Sequence, residues 1–230
     1  MRTIGLLGGM SWESTAVYYR ILNETVRDQL GGLHSAPVIV DSLDFAEVAA
    51  LQSAGDWEAA GRLLGDHAAR LEQAGAEVVA LATNTMHLVA DAITARISVP
   101  FVHIGDVAAD AVEASGITTI GLLGTRFTME QPFLVDHLSA RGLRVIVPAA
   151  EDRALVHDVI YDELVHGIVR ESSRLAYAGV IDRLVAAGAD GVVLGCTEIE
   201  LLVDPASTRV PAFPTTRLHA EAIASVALAR

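Results

Sequence analysis

Lysine is missing from this chain: all 16 basic residues among its 230 are arginine. No side chain can therefore form a Schiff base. That excludes pyridoxal-phosphate enzymes and lysine aldolases. A P-loop nucleotidase is excluded too, because its phosphate-binding motif needs a lysine. Positive charge is scarce as well. The 29 acidic residues bring the formal net charge to −13, and no Lys/Arg run occurs. Nucleic-acid and anionic-membrane partners, which both select basic faces, are not expected. No apolar run approaches the ~18 residues of a membrane span. The opening MRTIGLLGGMSWEST has too short an apolar stretch for a secretory signal, so the expected location is cytoplasmic.

Cysteine is nearly absent. The single Cys196 excludes an internal disulfide and any cysteine-based metal cluster. The eight histidines are dispersed with no H-x-x-x-H pair, so no metal is expected. The turn Gly8-Gly9-Met10-Ser11 lacks the G-x-G-x-x-G pattern of dinucleotide sites. No cofactor is expected. A lone cysteine is either a small buried hydrophobe or a reactive thiol, and its surroundings must decide which.

What the chain does contain is an alternation of short β-rich runs with helical segments. Strands are predicted at Thr3–Leu7, Pro37–Asp41, Val78–Leu81, Thr119–Leu123, Arg144–Val147, Gly191–Leu194 and Val210–Phe213. Helices are predicted at Ser14–Leu30, Trp57–Ala74, Ala109–Ala114, Gln131–Ala140, Ser172–Ala187 and Thr216–Leu228, with a further helix-like run at Met86–Ala95. This order indicates an α/β fold with mostly parallel sheets flanked by helices. Runs such as VVALA and GVVLG are continuously apolar, as strands covered on both faces are.

Two segments recur in the same order. Ile4-Gly-Leu-Leu-Gly8 returns as Ile120-Gly-Leu-Leu-Gly124, an offset of 116 residues. Ala74-Gly-Ala-Glu-Val-Val-Ala-Leu-Ala-Thr83 returns as Ala187-Gly-Ala-Asp-Gly-Val-Val-Leu-Gly-Cys196, an offset of 113. Near-equal offsets point to two pseudo-symmetric lobes, an N-terminal lobe of residues 1–103 plus 214–230 and a C-terminal lobe of 104–213. Ligands of parallel α/β sheets bind beyond the carboxyl ends of the strands, which places the expected active site in the interlobe cleft. The second repeat aligns Thr83 with Cys196, each just after a strand.

Cys196 precedes a short helical segment, where orphan N–H groups and the helix dipole favour thiolate over thiol. Thr83, Asn84 and Thr85 are N-capping residue types, and backbone N–H groups there can also hold a carboxylate. Thr125 and Thr197 occupy similar strand-end positions. Together these groups form an expected anion cradle, with Met10 of the Gly-rich turn and Glu198 beside the cysteine also lining the substrate.

Taken together, Gly8-Gly-Met-Ser-Trp-Glu-Ser-Thr15, Gly31-Gly-Leu-His-Ser35, Thr83-Asn-Thr-Met-His87, His103-Ile104, Leu122-Leu-Gly-Thr-Arg-Phe-Thr-Met-Glu130 and Gly195-Cys-Thr-Glu-Ile199 resemble the aspartate/glutamate racemase family. The resemblance implies two α/β lobes, a homodimer, a small amino acid as partner, and racemisation without pyridoxal phosphate. In that family two cysteines flank the substrate α-carbon, one removing a proton and the other delivering one. Here Cys196 stands at the second position and Thr83 at the first. Threonine is a poor general base, so the resemblance implies unequal rates from the two faces, with abstraction by Cys196 efficient. It also places Gln52 and His166 where the family holds the side-chain carboxylate with basic residues. Neither carries a permanent charge, which opens the pocket to uncharged amino acids. Pro214-Thr215-Thr216 replaces the family's Asp-Thr-Thr. Two alternatives stand beside the racemase: a single-cysteine decarboxylase or isomerase of dicarboxylic acids, and a catalytically weak amino-acid-binding protein.

Overall fold

A computed structural model describes residues 1–229. The chain divides into two compact units. One holds Met1–Ile104 and the segment from His219 onward, and the other holds Gly105–Leu218.

The first unit runs β1 (Ile4–Gly8), α1 (Trp12–Leu30), β2 (Val38–Ser42), α2 (Phe45–Ala54), α3 (Trp57–Gln73), β3 (Val78–Leu81), a 3-10 turn (Thr85–Val89), α4 (Ala90–Thr94) and β4 (Phe101–Val102). The second runs α5 (Ile104–Ala114, beginning on the last residue of the first unit), β5 (Thr119–Gly124), α6 (Arg126–Glu130), α7 (Pro132–Ala140), β6 (Arg144–Ile146), α8 (Ala150–Asp162), a 3-10 turn (Leu164–His166), α9 (Glu171–Ala186), β7 (Gly191–Gly195), α10 (Ile199–Leu202), a 3-10 turn (Pro205–Ser207) and β8 (Ala212–Pro214). The last helix, α11 (Thr215–Leu228), begins in the second unit and continues in the first.

Each unit has one four-stranded parallel sheet. The orders are β2-β1-β3-β4 and β6-β5-β7-β8, the same arrangement twice. The expected α/β class with helix-flanked parallel sheets is therefore the observed one. The registers repeat too. Ile4 pairs with Val78, and Ile120 with Gly191. These pairs carry the sequence offsets of 116 and 113, so Thr83 and Cys196 take the same position counted from the start of equivalent strands, two residues past the end of β3 and one past the end of β7.

Alternation along the central strands divides each core. In the first unit Ile4, Leu6, Val78 and Ala80 pack with Tyr18, Leu22 and Val26 of α1 and with Ile223 and Ala227 of α11. Leu7, Val79 and Leu81 face the other way, toward Leu64 and Leu71 of α3. In the second unit Ile120, Leu122 and Val193 pack with Val112 and Leu138. Leu123, Val192 and Leu194 pack with Ile160, Tyr177 and Leu184. Burying each such side chain contributes about 1.5–3 kcal/mol, so the sheets are anchored on both faces and the loops at their carboxyl ends are held between rigid elements.

Most predicted boundaries move by one or two residues, and the helix predicted at Ala109–Ala114 starts earlier, at Ile104. β8 is Ala212–Pro214 and not Val210–Phe213, with Pro214 tolerated because the strand is an edge. The run after Thr83 starts as a 3-10 turn before α4. Asn84 is its cap residue, but it makes no side-chain cap bond, so the expected N-capping is absent. No helix among the described residues is long and apolar enough to cross a membrane.

His219 is a buried polar member of the first unit. Its Nε2 lies 2.9 Å from the Val102 carbonyl, so Nε2–H donates, and Nδ1 accepts from the Tyr18 hydroxyl at 2.9 Å. Burial is the main cause that lowers its pKa to about 4 from 6.5. Between these values the unfolded chain takes up a proton that the folded chain refuses. Stability is thus fully present above pH 6.5 and is lost as pH falls toward 4, by roughly 3 kcal/mol. Urea midpoints should fall between pH 7 and 4.5, and less steeply in His219→Gln. Equal slopes in the two proteins would remove His219 as the cause.

Candidate active site

The carboxyl ends of β5 and β7 adjoin, with Gly124 paired to Gly195. A Cβ on Gly124 would lie 2.9 Å from the Thr128 Cβ, and one on Gly8 would lie 2.6 Å from the Thr15 Oγ1. The same contact therefore recurs in both units: a threonine of the following helix sits against the bare backbone of a strand-end glycine. In the first unit that threonine accepts from the Gly9 N–H at 2.8 Å and donates to the Ser11 carbonyl at 2.9 Å. In the second, the Thr125 hydroxyl caps α6 by accepting from the Thr128 N–H at 3.3 Å.

Cys196 follows Gly195 and is half-buried. Its Sγ–H donates to the Glu198 Oε2 at 2.9 Å. Burial pushes the thiol well up, and the Glu198 carboxylate pushes it further. This corrects the expectation of a resting thiolate. The following helix α10 has only four residues, and its first turn carries Glu200, so its dipole is too small to offset a desolvated thiol beside a carboxylate. In the resting state Cys196 is a proton donor whose proton already points at an acceptor.

Other groups hold this loop. The Thr197 hydroxyl lies 2.7 Å from that of Thr216, and the Thr215 hydroxyl donates to the Leu194 carbonyl at 2.9 Å. Both C-terminal threonines are fully buried. The two threonines that follow Pro214 thus tie α11 to the end of β7 without the family's aspartate. Tyr161 and Tyr177, on α8 and α9, have phenols pushed upward by burial and then by Cys196. The Tyr177 hydroxyl donates to the Val156 carbonyl at 2.9 Å. His157 packs its ring 4.6 Å from that of Tyr161 and accepts from the Arg126 N–H at 3.3 Å. His157 and Tyr161 border the Thr125–Cys196 region, yet sequence reasoning missed them. Their helix buries only Val156 and Ile160, too few for a periodic signal.

In the first unit Thr83 is half-buried, while Asn84 and Thr85 are buried. The Ser14 hydroxyl donates to the Ala82 carbonyl at 3.3 Å, bracing the end of β3 from α1. His87 Nδ1–H donates to the Thr83 carbonyl at 2.8 Å. Gln52, on α2, is buried and donates to the Met86 sulfur at 2.9 Å. Met10 belongs to the same apolar cluster as Met86 and Leu43, so its side chain is largely used in packing. His166 does not match Gln52 in setting: it is exposed at the end of a 3-10 turn. Both ring nitrogens of His87 and of His219 are engaged in hydrogen bonds, which leaves neither ring a nitrogen for a metal.

The structure thus groups Cys196, Thr197, Glu198 and Thr125 around one sheet end, and Thr83, Asn84, Thr85 and Gln52 around the equivalent end of the other. The first cluster offers a thiol, a carboxylate and two hydroxyls, and the second two hydroxyls and two side-chain amides.

The sequence and fold match known proteins. The Asp/Glu/hydantoin racemase family matches residues 7–223. A proposed Asp/Glu racemase from Yersinia pestis is 51% identical, with a TM-score of 0.94 over 100% of both chains. An aspartate racemase homologue from Pyrococcus horikoshii OT3 is 32% identical, with a TM-score of 0.88 over 99% of both chains. The Picrophilus torridus aspartate racemase shares the fold at 19% identity, with a TM-score of 0.82 over 100% of this chain and 96% of its own. The chain belongs to the Asp/Glu/hydantoin racemase family, a family of isomerases.

Proposed function

We propose that this protein racemises small amino acids, aspartate and glutamate or a broader set, without pyridoxal phosphate, as a cytoplasmic homodimer. Cys196 and Thr83 are its two proton-transfer groups. The observation that carries this reading is the pairing of Cys196 with an adjacent carboxylate acceptor at the position equivalent to Thr83. The absence of lysine supports a route that needs no Schiff base.

The chemistry balances without a reagent. One proton leaves the α-carbon on one face and another arrives on the opposite face. For Cys196 to abstract, its own proton first passes to Glu198, and the resulting thiolate takes the Cα proton. For Cys196 to deliver, the resting thiol gives its proton to the carbanion directly. Thr83, or a water it holds, serves the other face, and solvent water takes the proton left on Glu198 and restores the one lost there. No side chain among the described residues accepts a hydrogen bond from the Thr83 hydroxyl, so abstraction there is the slow direction. Hydroxyls and amides of Asn84, Thr85, Thr125 and Thr197 are the donors for the substrate carboxylate and the developing negative charge. Gln52 offers a neutral amide to the substrate side chain, which fits a set wider than the acidic amino acids.

The test is incubation of single L- and D-amino acids in deuterated water, followed by mass and chirality. Deuterium at the α-carbon with inversion is expected, with exchange outrunning inversion by different amounts from the two enantiomers. Exchange with retained configuration would make this a one-base enzyme. No exchange on any amino acid would sink the racemase reading. Thr83→Cys should speed proton transfer at that face, and with it inversion, by roughly tenfold or more, as a far stronger acid/base group replaces a hydroxyl. An unchanged rate of inversion, with the same exchange-to-inversion ratios from the two enantiomers, would count against Thr83.

A further inference from the structure

His87 sits in the middle of the buried 3-10 turn that follows Thr83 and is almost fully enclosed. Its two ring nitrogens do different work. Nδ1 lies 2.8 Å from the Thr83 carbonyl, which only accepts, so Nδ1 carries the proton. Nε2 accepts from the Ile104 N–H at 3.2 Å. The tautomer is thereby assigned and the ring is neutral. Neighbouring rings wall it in: His103 at 4.7 Å, Phe101 at 5.7 Å and His219 at 5.7 Å between centroids. Burial, followed by the nearby His103 and His219, lowers its pKa well below the usual value, so the ring keeps its acceptor nitrogen at neutral pH.

β3 ends at Leu81, and beyond it the carbonyls take side-chain partners: Ala82 accepts from the Ser14 hydroxyl and Thr83 from the His87 ring. A peptide unit is planar, with C=O and the following N–H pointing in opposite directions. Fixing the Thr83 carbonyl therefore fixes the direction of the Asn84 N–H as well. The second unit does this differently. The Cys196 carbonyl accepts from the Ile199 backbone N–H at 3.2 Å, and the residue equivalent to His87 by the 113-residue offset is Glu200.

We infer that His87 is a positioning residue for the Thr83 half-site: its Nδ1–H sets the Thr83–Asn84 peptide plane, and with it both the Thr83 hydroxyl and the Asn84 N–H that meets the substrate carboxylate. This rests on the reading of Thr83 as the second proton-transfer group. His87 touches no reacting atom, and its effect is confined to one face of the substrate.

Two substitutions separate its two bonds. His87→Asn places an amide N–H near the Nδ1 position and gives up the Ile104 contact. His87→Gln places its amide near the Nε2 position and gives up the Thr83 contact. Face-specific deuterium exchange is measured from each enantiomer. In His87→Gln, exchange at the Thr83 face should drop roughly tenfold, the scale of one lost hydrogen bond to a positioning group. Exchange at the Cys196 face should stay within about twofold. His87→Asn should recover most of the Thr83-face rate. The inference is overturned if Asn is as slow as Gln, if Gln leaves the Thr83 face unchanged, or if both faces slow equally in a folded protein. A role limited to bracing Ile104 would reverse the order, with Asn the worse variant. If the wild-type protein exchanges no α-proton, the racemase reading fails, and the 13C shift of the Thr83 carbonyl then decides His87's role. That shift should move in Gln and not in Asn. The opposite pattern, or no movement in either, refutes the hold on the Thr83 peptide.

Discussion

Replacing Cys196 with alanine is expected to lower kcat/KM for racemisation roughly a thousandfold or more, in both directions. Cys196 is the one side chain proposed to both take and give the α-proton on its face, and a positioned acid/base group contributes about 10²–10⁴-fold. The loss is not expected to come from unfolding. The side chain is small and only packs against the margin of the Tyr177–Leu194 cluster, so its removal should cost about 1 kcal/mol of stability. Melting curves run beside the kinetics separate the two causes. Cys196→Ser keeps a hydroxyl proton but not an accessible anion and should be almost as slow. Activity within tenfold of wild type in folded Cys196→Ala would take the residue out of the mechanism.

Glu198→Gln should move two readouts in opposite directions. The carboxylate accepts the thiol proton at 2.9 Å, and its charge is one reason the thiol pKa is raised. An amide removes that charge, so the thiol should titrate at lower pH, as read by the ultraviolet absorbance of the thiolate. If thiolate content alone set the rate, the variant would be faster. The expectation here is the reverse, a fall of about a hundredfold, because the proton on sulfur has lost the group that receives it. A variant as fast as wild type, with its thiol pKa lowered, would leave Glu198 without a proton-transfer role.

The candidate site was partly legible before any coordinates. Cys196 and Thr83 are legible through the repeat, since near-equal offsets in a chain of βαβ units translate into equivalent strand positions. The strands β1, β3, β5 and β7 are legible because they are almost wholly apolar, three of them ending on glycine. The α2 and α8 helices were not. Each buries two residues, Val48 and Gln52 in one and Val156 and Ile160 in the other, and so shows no stripe for a 3.6-residue period to reveal. With them went any view of His157 and Tyr161. β4 has two residues, below the length at which alternation means anything.

The sequence by itself determined the chemistry that is ruled out and the repeat that remains. No lysine, one cysteine and two matched Gly-rich strand–turn units are facts of composition and order. They hold whatever the packing. The thiol's state was beyond its reach. Strand-end position pointed to a thiolate, yet three-dimensional packing buries the sulfur, ends the next helix after one turn, and sets a carboxylate against the proton. Protonation depends on desolvation and on charges a few ångströms away, and residue order specifies neither until the chain is folded. The same holds for His87. Its place in the Thr-Asn-Thr-Met-His motif says only that it is near Thr83. That one ring nitrogen holds the Thr83 carbonyl while the other holds Ile104, 17 residues away, was decided by the tertiary structure.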